Sequence, residues 1–182
     1  MKRRVFLQQM TGLANLLYLP GCQPFKSEPA RNKDYGRPAA VWRTLAALHA
    51  HLLPSEPDAP GAAELHSLDY LKALLSIPQL PAAERTALIH GAEILDSRSL
   101  AQTGQPFAEL PEVWRERVLR DFEMDKKGRA WLETQLHYLL EALLSDPVYG
   151  GNPDGVGWRW LAHNPGFPRP PADKRWFLLE SV

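Results

Sequence analysis

Residues 127–145 read KGRAWLETQLHYLLEALLS, and this stretch decides the fold class. Leu132, Leu136, Leu139, Leu140 and Leu143 recur at helical spacing. Arg129, Glu133, His137 and Glu141 fall every four residues on another face. An apolar stripe opposite a charged one is the pattern of a surface helix packed on a core, and the charges rule out a membrane span. Arg129 and Glu133 are spaced for an i,i+4 ion pair.

The same period appears upstream. Val41, Leu45, Leu48 and Leu52 predict a helix over 39–53, ended by Pro54. A second is expected from about Ala62 to Ser76 on the stripe Leu65, Leu68, Leu71 and Leu75. Pro81 is placed to open a third through Leu88, Ile89, Ala92 and Leu95, closed by Gly104 and Pro106. A fourth, over 111–122, carries Val113, Trp114, Val118, Leu119 and Phe122. No stretch alternates with period two. The expected fold is therefore mainly α, a compact bundle of about five helices over 39–145.

Both flanks differ from this body. Residues 146–182 hold six prolines and five glycines, interspersed with Trp158, Trp160, Phe167, Trp176 and Phe177. Proline and glycine cost about 3 and 1 kcal/mol in helix interiors, so the segment is read as a long irregular arm. Its aromatics argue that it docks, on this domain or on another chain.

At the other end, Lys2, Arg3 and Arg4 precede a short apolar run broken by Gln8, Gln9, Thr11, Gly12 and Asn15. A basic n-region and a short apolar core make residues 1–21 an export signal. Arg3-Arg4 followed by Val5-Phe6-Leu7 resembles a twin-arginine signal, the route for proteins exported already folded. Leu19-Pro20-Gly21-Cys22 resembles a lipobox, in which Cys22 is acylated; Pro20 departs from the usual pattern. Residues 22–38 read as a flexible tether. The expected location is the periplasm, at a membrane.

Composition narrows the chemistry. The 21 basic and 21 acidic groups cancel, but without Lys2, Arg3 and Arg4 the remainder is slightly acidic, which argues against a nucleic-acid surface. Cys22 is the only cysteine, so a disulfide, a haem attachment or a thiolate cluster cannot be built. His49, His51, His66, His90, His137 and His163 lack ligand spacing and read as ordinary surface or core histidines. Tyr149-Gly150-Gly151-Asn152 is followed by no Gly-Lys-Ser/Thr and is not a phosphate loop. Asn152-Pro153-Asp154-Gly155 lacks the spacing of a calcium loop. No catalytic, cofactor-binding or metal-binding residue is expected in this chain. A folded-export signal on a cofactor-free chain makes sense if the passenger is a partner without a signal of its own.

Asp146-Pro147-Val148-Tyr149-Gly150-Gly151-Asn152, with Gly157-Trp158 and Pro165-Gly166 downstream, resembles the signature of the gluconate 2-dehydrogenase subunit 3 family. Leu52-Leu53-Pro54 and Pro60-Gly61-Ala62-Ala63-Glu64 resemble its early segment between the first two helices. The resemblance covers roughly 40–168. It implies a non-catalytic small subunit of a membrane-associated dehydrogenase that oxidises a sugar, sugar acid or polyol. The large subunit would be a flavoprotein of the glucose-methanol-choline oxidoreductase type holding FAD, with a cytochrome c subunit carrying haem as a possible third member. The small subunit would aid export, maturation and stability of the flavoprotein. Carried over onto this sequence, the motif places partner contact on Tyr149, Gly150, Gly151, Asn152, Gly157 and Trp158; packing of the arm on its own helices is the other reading of those residues. The rival to the subunit function is a free-standing periplasmic lipoprotein that binds a small ligand beneath the aromatic arm. An autonomous hydrolase has no residue constellation behind it.

Overall fold

The structure, a computed structural model, describes residues 39–179. The expectations for Arg3, Arg4, Cys22 and the tether 22–38 lie outside the described residues. Six α-helices follow one another: α1 (Ala39–Leu52), α2 (Ser67–Ser76), α3 (Ala82–Thr103), α4 (Glu112–Met124), α5 (Lys126–Leu144) and the short α6 (Val156–Leu161). Brief 3₁₀ turns lie at Phe107–Glu109, Pro147–Tyr149, Pro153–Gly155, Ala172–Lys174 and Trp176–Leu178. Among the described residues there is no strand, only an isolated bridge between Glu56 and Ala59. The fold is mainly α, as the helical periodicity predicts.

The centre is α1, which packs on α2, α3, α5 and the 3₁₀ turn at Phe107–Glu109. Leu45, Leu48, Leu71, Leu88, Leu95, Phe107 and Val118 are sealed from water. Phe122 of α4 meets Trp131 of α5 edge-on, with ring centroids 5.9 Å apart. Burying a large apolar side chain contributes about 1.5–3 kcal/mol, so these stripes dominate the stabilisation.

Helix ends follow local chemistry. Gly104 closes α3 in the left-handed region at φ 75°, returning its N–H to the Leu100 carbonyl. The Asp125 carboxylate caps α5 by accepting the Lys127 N–H at 2.8 Å. Between α2 and α3, the Arg85 guanidinium donates to the carbonyls of Leu75, Ile77, Pro78 and Leu80 and holds that turn.

Four expectations need correction. The second helix starts at Ser67 rather than Ala62, because residues 62–66 spend their hydrogen bonds on turns: Ala62 N–H goes to Leu53 O, and His66 is left-handed at φ 52°. On α5 the buried seam runs through Trp131, Gln135, Tyr138, Leu139, Ala142 and Leu143, while Leu132, Leu136 and Leu140 are half-buried at its edge. Polar anchors turn the helix: Gln135 meets His49 and the Tyr138 hydroxyl donates to Glu84. Arg129 does not pair with Glu133; its Nε donates to the Glu123 carbonyl at 3.3 Å. Finally, the arm is not irregular throughout, since residues 156–161 form α6 between the glycine Gly155 and the left-handed Ala162.

Candidate partner-binding site

The C-terminal end of α5 leaves four carbonyls without intrahelical partners, as every helix does. The segment 146–158 supplies donors to two carbonyls at this end, those of Leu144 and Ser145. Ser145 N–H donates to Glu141 O at 2.7 Å. The Trp158 indole Nε1 donates to Leu144 O at 2.7 Å, and Asn152 Nδ2 donates to Ser145 O at 3.0 Å. Gly157 lies against Leu143 O so closely that a Cβ there would stand 2.3 Å from it. Gly151 sits less tightly, a Cβ there standing 3.1 Å from the Ala142 carbonyl oxygen and 3.2 Å from the Tyr70 Cβ.

Asn152 is the keystone. It is sealed from water, with backbone at φ 52°, ψ 50°, a left-handed conformation that Asn tolerates better than most residues. Its Oδ1 accepts the Gly157 N–H at 2.7 Å, starting α6, and its own N–H donates to Leu65 O at 2.9 Å. That last bond joins the two motif segments, since Leu65 directly follows Pro60–Glu64. In the earlier segment, the Glu64 carboxylate accepts from Gly61 N–H (2.8 Å) and the Ser55 hydroxyl (2.6 Å), locking the turn.

The outer edge is built by Asp146, Tyr149 and Gly150. Gly150 has φ 97°, which L side chains rarely adopt, and it rests against Asp69 and Ala73 of α2. Asp146 caps its own turn through Val148 N–H (3.0 Å) and receives both Nε (2.7 Å) and Nη2 (3.0 Å) of Arg169. That forked hydrogen bond holds the Asp146 carboxyl below its ordinary range. The Arg169 guanidinium also lies 5.3 Å from the Trp158 ring centroid, covering it. The half-buried Tyr149 stacks at a tilt on Phe177, with centroids 6.4 Å apart.

The structure thus brings all six expected site residues together. Gly151, Asn152, Gly157 and Trp158 are buried and engaged within the chain, and Tyr149 and Gly150 are half-buried at the edge. Asp146 and Arg169 are 23 residues apart, and no local pattern in the sequence links them as a pair.

A second polar cluster lies in the core. His49 Nδ1 is 3.0 Å from Ser67 Oγ, and its Nε2 is 3.2 Å from Gln135 Oε1. Burial lowers the His49 pKa to about 4, the Gln135 hydrogen bond opposing this in part. The spacing resembles a nucleophile and base, but all three side chains are buried and so offer a substrate no access. Among the described residues no group of His, Cys, Asp and Glu is placed to hold a metal ion, and no helix is long and apolar enough to cross a membrane.

The family model for gluconate 2-dehydrogenase subunit 3 matches residues 39–166, from the start of α1 to the end of the Pro165-Gly166 pair. The chain belongs to this family. The match covers the helical body and the α5 cap, so both segments joined by the Asn152–Leu65 hydrogen bond fall inside it. Comparison with curated proteins and with solved structures gives no match. In this family member the cap is held by its own hydrogen bonds, and residues 175–177 lie beside α2 and the end of α5.

Proposed function

We propose that the chain is a non-catalytic subunit of a membrane-associated, FAD-dependent dehydrogenase acting on a sugar, sugar acid or polyol. It accompanies the flavoprotein during twin-arginine export and stabilises it afterwards. The observation that carries this reading is the family match across the helical body and the 146–158 cap. FAD belongs to the partner and haem to a cytochrome c subunit; this chain supplies a surface. The cap edge at Tyr149 and Gly150, backed by Gly151, Asn152, Gly157 and Trp158, forms part of that surface. Fixed by its own hydrogen bonds, it offers little ordering cost on association. Acylation at Cys22 holds the complex at the periplasmic face of the membrane.

Isolation of the tagged chain from native membranes tests the reading. A co-purifying large protein with oxidised-flavin absorption supports it, because the redox chemistry belongs to the cofactor. Recovery of the chain alone, colourless and folded, overturns it.

One observation favours the ligand-binding alternative. Tyr70, Tyr149, Trp176 and Phe177 help to line a cavity of about 220 Å³ between α2, the end of α5 and the arm. That volume suits a small polyol better than a drug-sized ligand, whose pockets run from about 300 Å³. Saturable quenching of tryptophan fluorescence by a sugar, in a chain with no partner, would favour this second reading.

A further inference from the structure

The cavity beside the arm is lined by two groups of opposite charge, Glu141 of α5 and Arg175. They do not pair with each other. The Glu141 carboxylate is held at both oxygens: Oε2 accepts the Tyr70 hydroxyl at 2.8 Å, and Oε1 lies 3.1 Å from His137 Nε2. Arg175 has no such partner. Its Nε is sealed, but its terminal nitrogens are not, and no acceptor among the described residues takes a hydrogen bond from them. The guanidinium lies 4.9 Å from the Phe177 ring centroid.

The other half-buried arginine of the arm shows what such a group does when an acceptor is near. Arg169 places Nε and Nη2 on the two oxygens of Asp146. Arg175 holds its own terminal nitrogens unused at the cavity. A planar set of N–H donors matches a carboxylate in geometry as well as charge. The surrounding charge favours an anion too, since residues 159–179 hold Arg159, Arg169, Lys174 and Arg175 against Asp173 alone.

The rest of the wall suits a hydroxylated molecule. Tyr70, Tyr149, Trp176 and Phe177 contribute ring surface. The Tyr149 hydroxyl is met by the Trp176 N–H at 3.5 Å and keeps its proton free to donate, while Glu141 keeps lone pairs to accept.

We propose that this cavity binds a small hydroxy acid, its carboxylate on the terminal nitrogens of Arg175 and its hydroxyls on Glu141 and Tyr149. This rests on the ligand-binding reading of the cavity given above, fixes the charge of the ligand, and holds whether or not the chain also accompanies a flavoprotein. A neutral polyol would leave the guanidinium unmatched. An amino acid would bring a second cation beside Arg175, and an ammonium costs more to strip of water than a hydroxyl does.

Isothermal titration of the full chain recovered from native membranes tests this with glycerate, its neutral counterpart glycerol and its amino counterpart serine. Glycerate should bind saturably and at least roughly ten-fold more tightly than either. Arg175→Gln should abolish that preference with helical circular dichroism unchanged, and Arg175→Lys, which keeps the charge but not the planar donor set, should recover part of it. Glycerate binding that is unchanged in Arg175→Gln lies at another site, on this chain or on a co-purifying one, and overturns the inference. Equal or tighter binding of glycerol or serine also overturns it, while leaving the cavity a ligand site. Absence of glycerate binding overturns it as well. If in addition no sugar quenches tryptophan fluorescence, the ligand-binding reading falls too, a result distinct from the others.

Discussion

Asn152 shows how much one side chain can carry. Replacing it with Ala leaves the Ser145 carbonyl and the Gly157 N–H without partners and places a Cβ residue without compensating hydrogen bonds in the left-handed region. Asn152→Ala should lower unfolding stability by about 3 kcal/mol, read from denaturant midpoints. His49 makes a pH prediction. An unfolded histidine binds its proton near 6.5, whereas burial holds His49 down to about 4. Between those values the unfolded chain binds more protons, so stability falls as pH drops through this window, by up to about 3 kcal/mol in all. Above 6.5 the group has no effect. His49→Gln should flatten that slope, measured as unfolding free energy from about pH 7 to about pH 4.5. Asn152 stands out in the sequence within its glycine-rich motif. His49 does not, because a helical histidine two residues from His51 carries no sign of which face is sealed.

At the scale of elements, the close packing of α3 on α5 depends on Gly91. A Cβ there would lie 2.1 Å from Trp131 Nε1, which donates to Leu88 O at 3.1 Å. Gly91→Ala raises helix propensity yet should destabilise by about 1–3 kcal/mol, seen as a lower thermal midpoint, because the indole must move and loses its acceptor. Trp158 ties α6 to the end of α5. Trp158→Phe keeps most of the apolar burial but leaves Leu144 O unpaired, and should cost about 1–2 kcal/mol. Trp158→Ala should cost about 3–5 kcal/mol. If Trp158 also supports partner contact, the Phe variant, still folded by circular dichroism, should bind the flavoprotein more weakly. Most helix boundaries are legible from stripes and punctuating Pro and Gly, but the start of α2 is not, because residues 62–66 spend their hydrogen bonds on turns. The rotation of α5 was not, because it is set by Gln135 and Tyr138 reaching across to other helices.

For the whole molecule the prediction concerns export. If the chain escorts a folded partner, replacing Arg3 and Arg4 by Lys should leave the flavoprotein in the cytoplasm, measured by its activity in fractionated cells. Cys22→Ser should preserve export and release the complex from washed membranes, provided acylation at Cys22 is the main anchor. Loss of membrane binding without loss of activity would separate anchoring from maturation. The body supplies the frame for this role. Five packed helices carry a capped edge at 146–158, and the charge changes sign in the segment beyond it.

Local pattern in the sequence was enough to determine the helical class, the order of the five main helices and the two motif segments. Periodicity, capping and turn residues act over a few positions, so a reader of the chain can see them. The meeting of those segments through Asn152 and Leu65, the Asp146–Arg169 pair, and the sealing of His49 between Ser67 and Gln135 were decided only by the tertiary structure. Each joins residues from separate elements, and which side chains meet depends on the rotation and spacing of packed helices. The same holds for the arm. Its aromatics are plain in the sequence, but which are anchored inward and which face outward follows from where the chain crosses α2 and the end of α5.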